Sequence, residues 1–172
     1  MTKIIEWLTD RPKLKIFWMC EVRGNESTAD GKFVGTHLIL LVDVVNVRLK
    51  PVAVRTWDLE VEIPGRDKIR AIRRFIPVGF TLDLKDGSRY PADFSKASLD
   101  ERTFGEPLQY GKFARGWLRF TIPGISVEQF DAVNEYLLTA KDAFGNAHRM
   151  KCSRENVGTG KIFFRGAGMQ TN

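Results

Sequence analysis

The chain has 172 residues, 43% of them hydrophobic, with twelve Phe and four Trp. That is enough bulky apolar matter for the core of one domain, and it excludes disorder for the body of the chain. The formal net charge of +6 is a small excess that does not by itself single out nucleic acid as a partner, and no apolar run nears the ~18 residues of a membrane-spanning helix.

In chain order, residues 2–11 fit a short amphipathic helix with Ile4, Ile5, Trp7 and Leu8 clustered. Pro12 stops it, because proline cannot continue a helix. Glu6, Asp10 and Arg11 interrupt any secretory core, so a cytoplasmic location is expected. Residues 14–22 read as a first strand and residues 23–32, RGNESTADGK, as a polar loop. A long strand follows over 33–49. Pro51 cannot donate to a ladder, so it marks a bend or a crossing between sheets. Residues 52–63 are the next strand: Trp57, Leu59, Val61 and Ile63 alternate with Asp58, Glu60 and Glu62. A period of two belongs to a strand with one buried and one wet face.

Residues 66–77 fit either a helical face or alternation, and an edge strand or short irregular segment is expected, with Phe75 in the core. Phe80, Leu82 and Leu84 then alternate with Thr81, Asp83 and Lys85 before the Asp86-Gly87 turn signal. Residues 91–110 read as a long loop with one helical turn. Residues 114–122 are a strand ended by Pro123-Gly124, and Ser126 with Gln129 fits a helix capping box. Residues 134–142 and 147–152 are strands joined by a turn over 142–146. The whole predicts an all-β fold: a two-sheet antiparallel β-sandwich of about seven to nine strands with one or two short helices. It occupies residues 13–152, between a helical extension (1–12) and a Gly-rich tail (153–172) that offers a last strand over 161–165.

Three motifs carry a resemblance. Asn46 precedes the hinge at Pro51; a Gly-x-x-x-x-Gly-Trp-Leu-x-Phe strand runs from Gly111 to Phe120; and an Asp-x-x-Gly hairpin spans Asp142 to Gly145. Together, over roughly residues 33–150, they resemble immunoglobulin-like sandwiches of bacterial proteins and are similar to the late-embryogenesis-abundant type 2 domain. The resemblance implies an immunoglobulin-like fold and a non-enzymatic role, and it transfers no functional residue. Exported members carry a leader or lipid-anchor cysteine, a feature this sequence does not show near Met1.

Chemistry-bearing patterns are sparse. Gly158-Thr-Gly160-Lys161 departs from a phosphate-binding loop, since Glu155 stands where its first Gly belongs and Ile162 follows the Lys. His37 and His148 sit on separate strands without ligand spacing, and neither a metal nor a cofactor is expected. Cys152 and His148 would stand about 13 Å apart on one strand face, beyond proton-transfer reach. Cys20 and Cys152 read as buried thiols, with a disulfide between them left open. The row Asp58, Glu60, Glu62, with Asp83 near it, has same-face spacings of nearly 7 Å, too wide for one tight cation cage.

The densest positive charge is Arg66, Lys68, Arg70, Arg73 and Arg74. These are the candidate partner-binding residues, and they also fit the charged edge strand that blocks sheet-to-sheet aggregation. Tyr90, Phe94, Phe104 and Tyr110 either pin the long loop to the sandwich or, if exposed, suit a binding loop. The expectation is a binding or accessory domain with a protein partner, acting through loops at one end or by strand addition at an edge. The alternatives are a nucleic-acid-associated protein using the basic segment and a structural subunit of a homo-oligomer.

Overall fold

Strand alternation builds two antiparallel sheets that bury their apolar faces against each other. The computed structural model describes residues 13–76, 82–83, 89–90 and 98–153. Its elements are β1 (Leu14–Ser27), β2 (Phe33–Asn46), β3 (Val54–Glu62), β4 (Ile69–Arg70), β5 (Ile72–Arg74), β6 (Leu82–Asp83), β7 (Arg89–Tyr90), α1 (Leu99–Phe104), β8 (Phe113–Pro123), α2 (Val127–Phe130), β9 (Glu135–Asp142) and β10 (Ala147–Ser153). One sheet has the order β1-β2-β8-β5, the other β10-β9-β3-β4, and β6 pairs with β7 alone. The chain is an all-β two-sheet antiparallel sandwich.

The core is the sum of inward faces. Leu38, Leu40, Val42 and Val44 of β2 and Leu118, Phe120 and Ile122 of β8 meet Trp57, Leu59 and Val61 of β3 and Tyr136, Leu138 and Ala140 of β9, all buried. Full burial of each large apolar side chain contributes roughly 1.5–3 kcal/mol, which makes this layer the main source of stability. Ser126 caps α2 as expected, its side chain accepting from the Gln129 amide while the Gln129 side chain accepts from the Ser126 amide.

Pro51 lies where the chain passes from the first sheet to the second. Asn46, fully buried at the end of β2, organises this crossing. Its Nδ2 donates to the carbonyls of Lys50 and Leu108, each at 2.8 Å, and its Oδ1 accepts from the Arg48 amide at 2.9 Å. Its main chain donates to Lys112 O and accepts from Gly111 N. Gly111 has φ +70, a left-handed conformation in which a side chain would be strained.

The ambiguous stretch over 66–77 is a second crossing. Ile69 and Arg70 pair with β3 in one sheet, Ile72–Arg74 with β8 in the other. Ala71 lies buried between them, its amide donating to Leu59 O at 2.9 Å. Neither a helix nor one straight strand, the segment switches layers.

Several expectations need correction. β1 continues through Ser27, so the first half of the supposed loop at 23–32 is strand: Arg23–Glu26 pair with β2. A bulge between Trp18 and Cys20 shifts the register. Beyond it Glu21 and Arg23, opposite the inward-facing Leu40 and Leu38, enter the interior. There Arg23 lies 3.6 Å from Glu21, 3.1 Å from Asp131 and over the Phe130 ring. Phe75 is 90% exposed rather than core, because it follows β5 at the sheet edge. The long strand ends at Asn46, not residue 49, and β3 begins at Val54, since the hydrogen bonds around Asn46 occupy the chain between. Cys152 is a free buried thiol, in keeping with its reading from the sequence; the side chain of Cys20 lies outside the described residues. The proposed N-terminal helix, the Asp86-Gly87 turn, the Gly158–Lys161 motif and the last strand lie outside the described residues.

Replacing Asn46 by Ala removes three side-chain hydrogen bonds, to the carbonyls of Lys50 and Leu108 and from the Arg48 amide, each worth about 1 kcal/mol. Urea unfolding of Asn46→Ala is expected to show a loss of about 3 kcal/mol; a loss below ~1 kcal/mol would remove Asn46 from its organising role.

Candidate functional site

Three connections meet at one end of the sandwich: residues 47–53 between β2 and β3, residues 105–112 between α1 and β8, and the β9–β10 turn. They are tied together by main-chain hydrogen bonds. Val52 and Leu108 exchange two, at 3.0 and 2.8 Å, Ala143 N donates to Ala53 O at 2.9 Å, and Val47 N donates to Lys13 O at 3.0 Å. The turn is closed by Asp142, whose buried carboxylate accepts from the amides of Phe144 and Asn146 and from Asn146 Nδ2, each at 2.9 Å. Burial pushes this carboxyl up, and hydrogen bonds from Asn146, His148 and Phe144 overcome that and hold it below the usual carboxylate range. His148 joins the turn to β1: its Nε2 donates to Asp142 at 3.1 Å while its Nδ1 accepts from the Leu14 amide at 3.2 Å. Both ring nitrogens are thus engaged in holding the frame.

On this frame stand apolar side chains that a core would otherwise claim. Leu49 is 79% exposed, Phe113 69%, Phe144 67% and Tyr110 60%. Arg48, Lys50 and Lys112 lie on the same segments, Lys13 precedes β1 and is tied to them through its carbonyl, and Arg55 lies in a bulge at the start of β3. Among the described residues none of these five cations forms an ion pair. Lys50 instead reaches over the Phe144 ring, 5.3 Å from its centroid. The exposed carboxylate nearby in sequence is Glu106.

The segment singled out by its charge is arranged otherwise. The crossing at Ala71 divides it between the two sheets. Lys68 pairs with Glu62 at 3.3 Å and Arg70 with Asp58 at 2.7 Å. Lys141 also reaches Asp58, at 2.8 Å, so two acids of the row on β3, Asp58 and Glu62, are matched by cations from neighbouring segments. Burial pushes the Asp58 carboxyl up, but hydrogen bonds from Lys141 and Arg70 hold it below the usual range. Arg73 is half-buried, bonded to Asp100 and to the Arg119 carbonyl and lying over the Phe120 ring. Arg74 donates to Thr121 at 3.1 Å. Arg66 is exposed in the loop before β4. The five residues do not form one patch. Of the four aromatics assigned to the long loop, Phe104 and Tyr110 are exposed rather than pinned; the side chains of Tyr90 and Phe94 lie outside the described residues.

The outer face of the first sheet holds a buried polar group of its own. Arg119 pairs with Glu26 at 3.1 Å, and Thr121 also donates to Glu26. His37 packs beside them over Gly24, where an added Cβ would stand 2.8 Å from the ring. Burial, reinforced by the Arg119 charge, lowers the imidazole from 6.5 to about 4. Among the described residues no three His, Cys, Asp or Glu converge as metal ligands, and no helix is long and apolar enough to cross a membrane.

An unfolded imidazole takes up its proton near pH 6.5 and the folded one only near 4. The unfolded chain therefore binds more protons between those values, and stability is lost as pH falls through that window. The expected loss from this group is on the order of 2–3 kcal/mol. Urea titrations of wild type and His37→Gln between pH 7 and 4.5 check it: the variant's stability should fall less steeply, and parallel profiles would refute the assignment.

No protein-family model and no curated protein matches this sequence, so what the site can do is read from its own geometry.

Proposed function

We propose that this chain is a non-enzymatic binding domain of the immunoglobulin-like class that engages a negatively charged macromolecular partner through the loops at one end of the sandwich. The observation that carries it is the group of unpaired cations and exposed rings on loops locked by main-chain hydrogen bonds. Cations elsewhere, such as Arg70 and Arg115, are paired with acids. Exposed apolar rings in a polar rim are what recognition surfaces present, and a rigid loop frame lowers the ordering cost of binding.

The immunoglobulin-like assignment is supported by strand order. With β8 taken as strand E, β1-β2-β8-β5 corresponds to A-B-E-D and β10-β9-β3 to G-F-C, β4 being an added edge strand. Trp57 is buried on the third strand, as in such domains. Neither β2 nor β9 contains a cysteine, so the inter-sheet disulfide of antibody domains is replaced here by apolar packing. The free Cys152 thiol fits a reducing, cytoplasmic setting. Protein recognition and nucleic-acid association are both served by such a surface; the basic segment Arg66–Arg74 suits either less well because most of its charges already have partners.

Heparin, a flexible polyanion, tests the reading. The native protein should bind it in a salt-dependent way, Lys50→Glu with Lys112→Glu should weaken binding more than tenfold, and Arg70→Glu should change it less than twofold. Absence of any polyanion binding, or equal loss in the Arg70 variant, would refute recognition at the loop end.

A further inference from the structure

Resting on that reading, we infer that the loop end is a binding surface for single-stranded nucleic acid, with Tyr110, Phe113 and Phe144 as stacking platforms and Lys13, Arg48, Lys50, Arg55 and Lys112 as phosphate contacts. Single-stranded polynucleotides present two things at a short repeat, a charged phosphate and a planar base. Proteins that bind them without strong sequence preference answer with a positive track and exposed aromatic faces.

Cation and ring alternate on these loops in that way. Arg48 and Lys50 flank Leu49; Lys112 separates Gly111 from Phe113, two residues beyond Tyr110. Lys50 reaches the Phe144 ring from a different connection. All three rings are more than half exposed, so bases can reach them without rearrangement of the fold. The loops that carry them are fixed to one another through Asn46, Val52–Leu108 and Ala143–Ala53, which keeps the platforms at set positions.

Three other occupants fit less well. An acidic protein surface would satisfy the cations and could cover the rings, but it has no fixed repeat of charge and planar group to match their alternation. A membrane surface favours an apolar centre with cations at its rim, whereas here each apolar side chain has a cation beside it. Duplex nucleic acid offers phosphates but hides its base faces.

Fluorescence anisotropy on the full chain decides, using a labelled 12-nucleotide oligothymidine, the same oligonucleotide in a duplex, poly-L-glutamate, and phosphatidylserine-containing vesicles. The single strand should bind best. Tyr110→Ala, Phe113→Ala and Phe144→Ala should each weaken it by on the order of tenfold without changing the salt slope. Lys50→Gln and Lys112→Gln should each reduce that slope by about 0.7. Unchanged thermal unfolding certifies the variants, whose altered side chains are exposed. The inference is overturned if the duplex, poly-L-glutamate or the vesicles bind at least as tightly as the single strand, or if the ring variants bind like wild type. If heparin binding persists in those cases, the binding-domain reading stands and only the partner class falls. If no anion binds, both fall.

Discussion

Five hydrogen bonds made by one buried residue, Asn46, decide how the two layers of this protein are joined at the loop end. A carboxamide serves here because the site requires two donors and an acceptor within a few ångströms: Lys50 O and Leu108 O on one side, Arg48 N on the other. No apolar residue could satisfy these groups, and the carboxamide that does so is itself fully buried. The chain thus leaves the first sheet, turns through Pro51 and enters the second along a path set by one side chain. The connection before β8 is held by the same residue, so the ring-bearing loops take their positions from the core.

Charge in this molecule divides into two kinds. On the outer face of the second sheet, Glu62, Asp58 and Glu135 are matched by Lys68, Arg70, Lys141 and Lys151. Such exposed pairs contribute little to stability, with a typical value of about 0–1 kcal/mol each, but they leave that face locally neutral. Among the described residues the cations at the loop end have no such partners, so positive charge is uncancelled there. Density of Lys and Arg along the chain is a poor guide to this, because pairing across strands is what cancels charge.

Much of the sandwich was legible in the sequence. Alternation in β3 and β8 gave the inward faces, Pro51 the crossing, and Ser126 with Gln129 the capping box, since each signal is local. What escaped was set by partners distant in sequence. The sheet switch at Ala71 depends on β3 and β8 competing for neighbouring residues, which no periodicity within 66–77 can express. Phe75 looks like core by composition and lies outside it because the sheet ends there. The basic segment drew attention through linear density, while the cations of the loop end, scattered from Lys13 to Lys112, come together only once the loops are tied. Tyr110 and Phe144 stand beside the turn glycines Gly111 and Gly145, the one local signal of their exposure; Phe113 has none.

The bulge at Met19 carries a consequence for the evolution of this strand. An extra residue reverses the parity of everything after it, so Val22 faces outward and the Glu21–Arg23 pair faces inward. Deleting the codon for Met19 would straighten the strand without moving its later residues: Cys20 would still stand opposite Leu41, Glu21 opposite Leu40 and Arg23 opposite Leu38. The buried contacts that Arg23 makes with Phe130 and Asp131 would be kept. The extra residue is therefore a tolerated insertion, and the arrangement in which β1 and α2 are held together by charge does not depend on it.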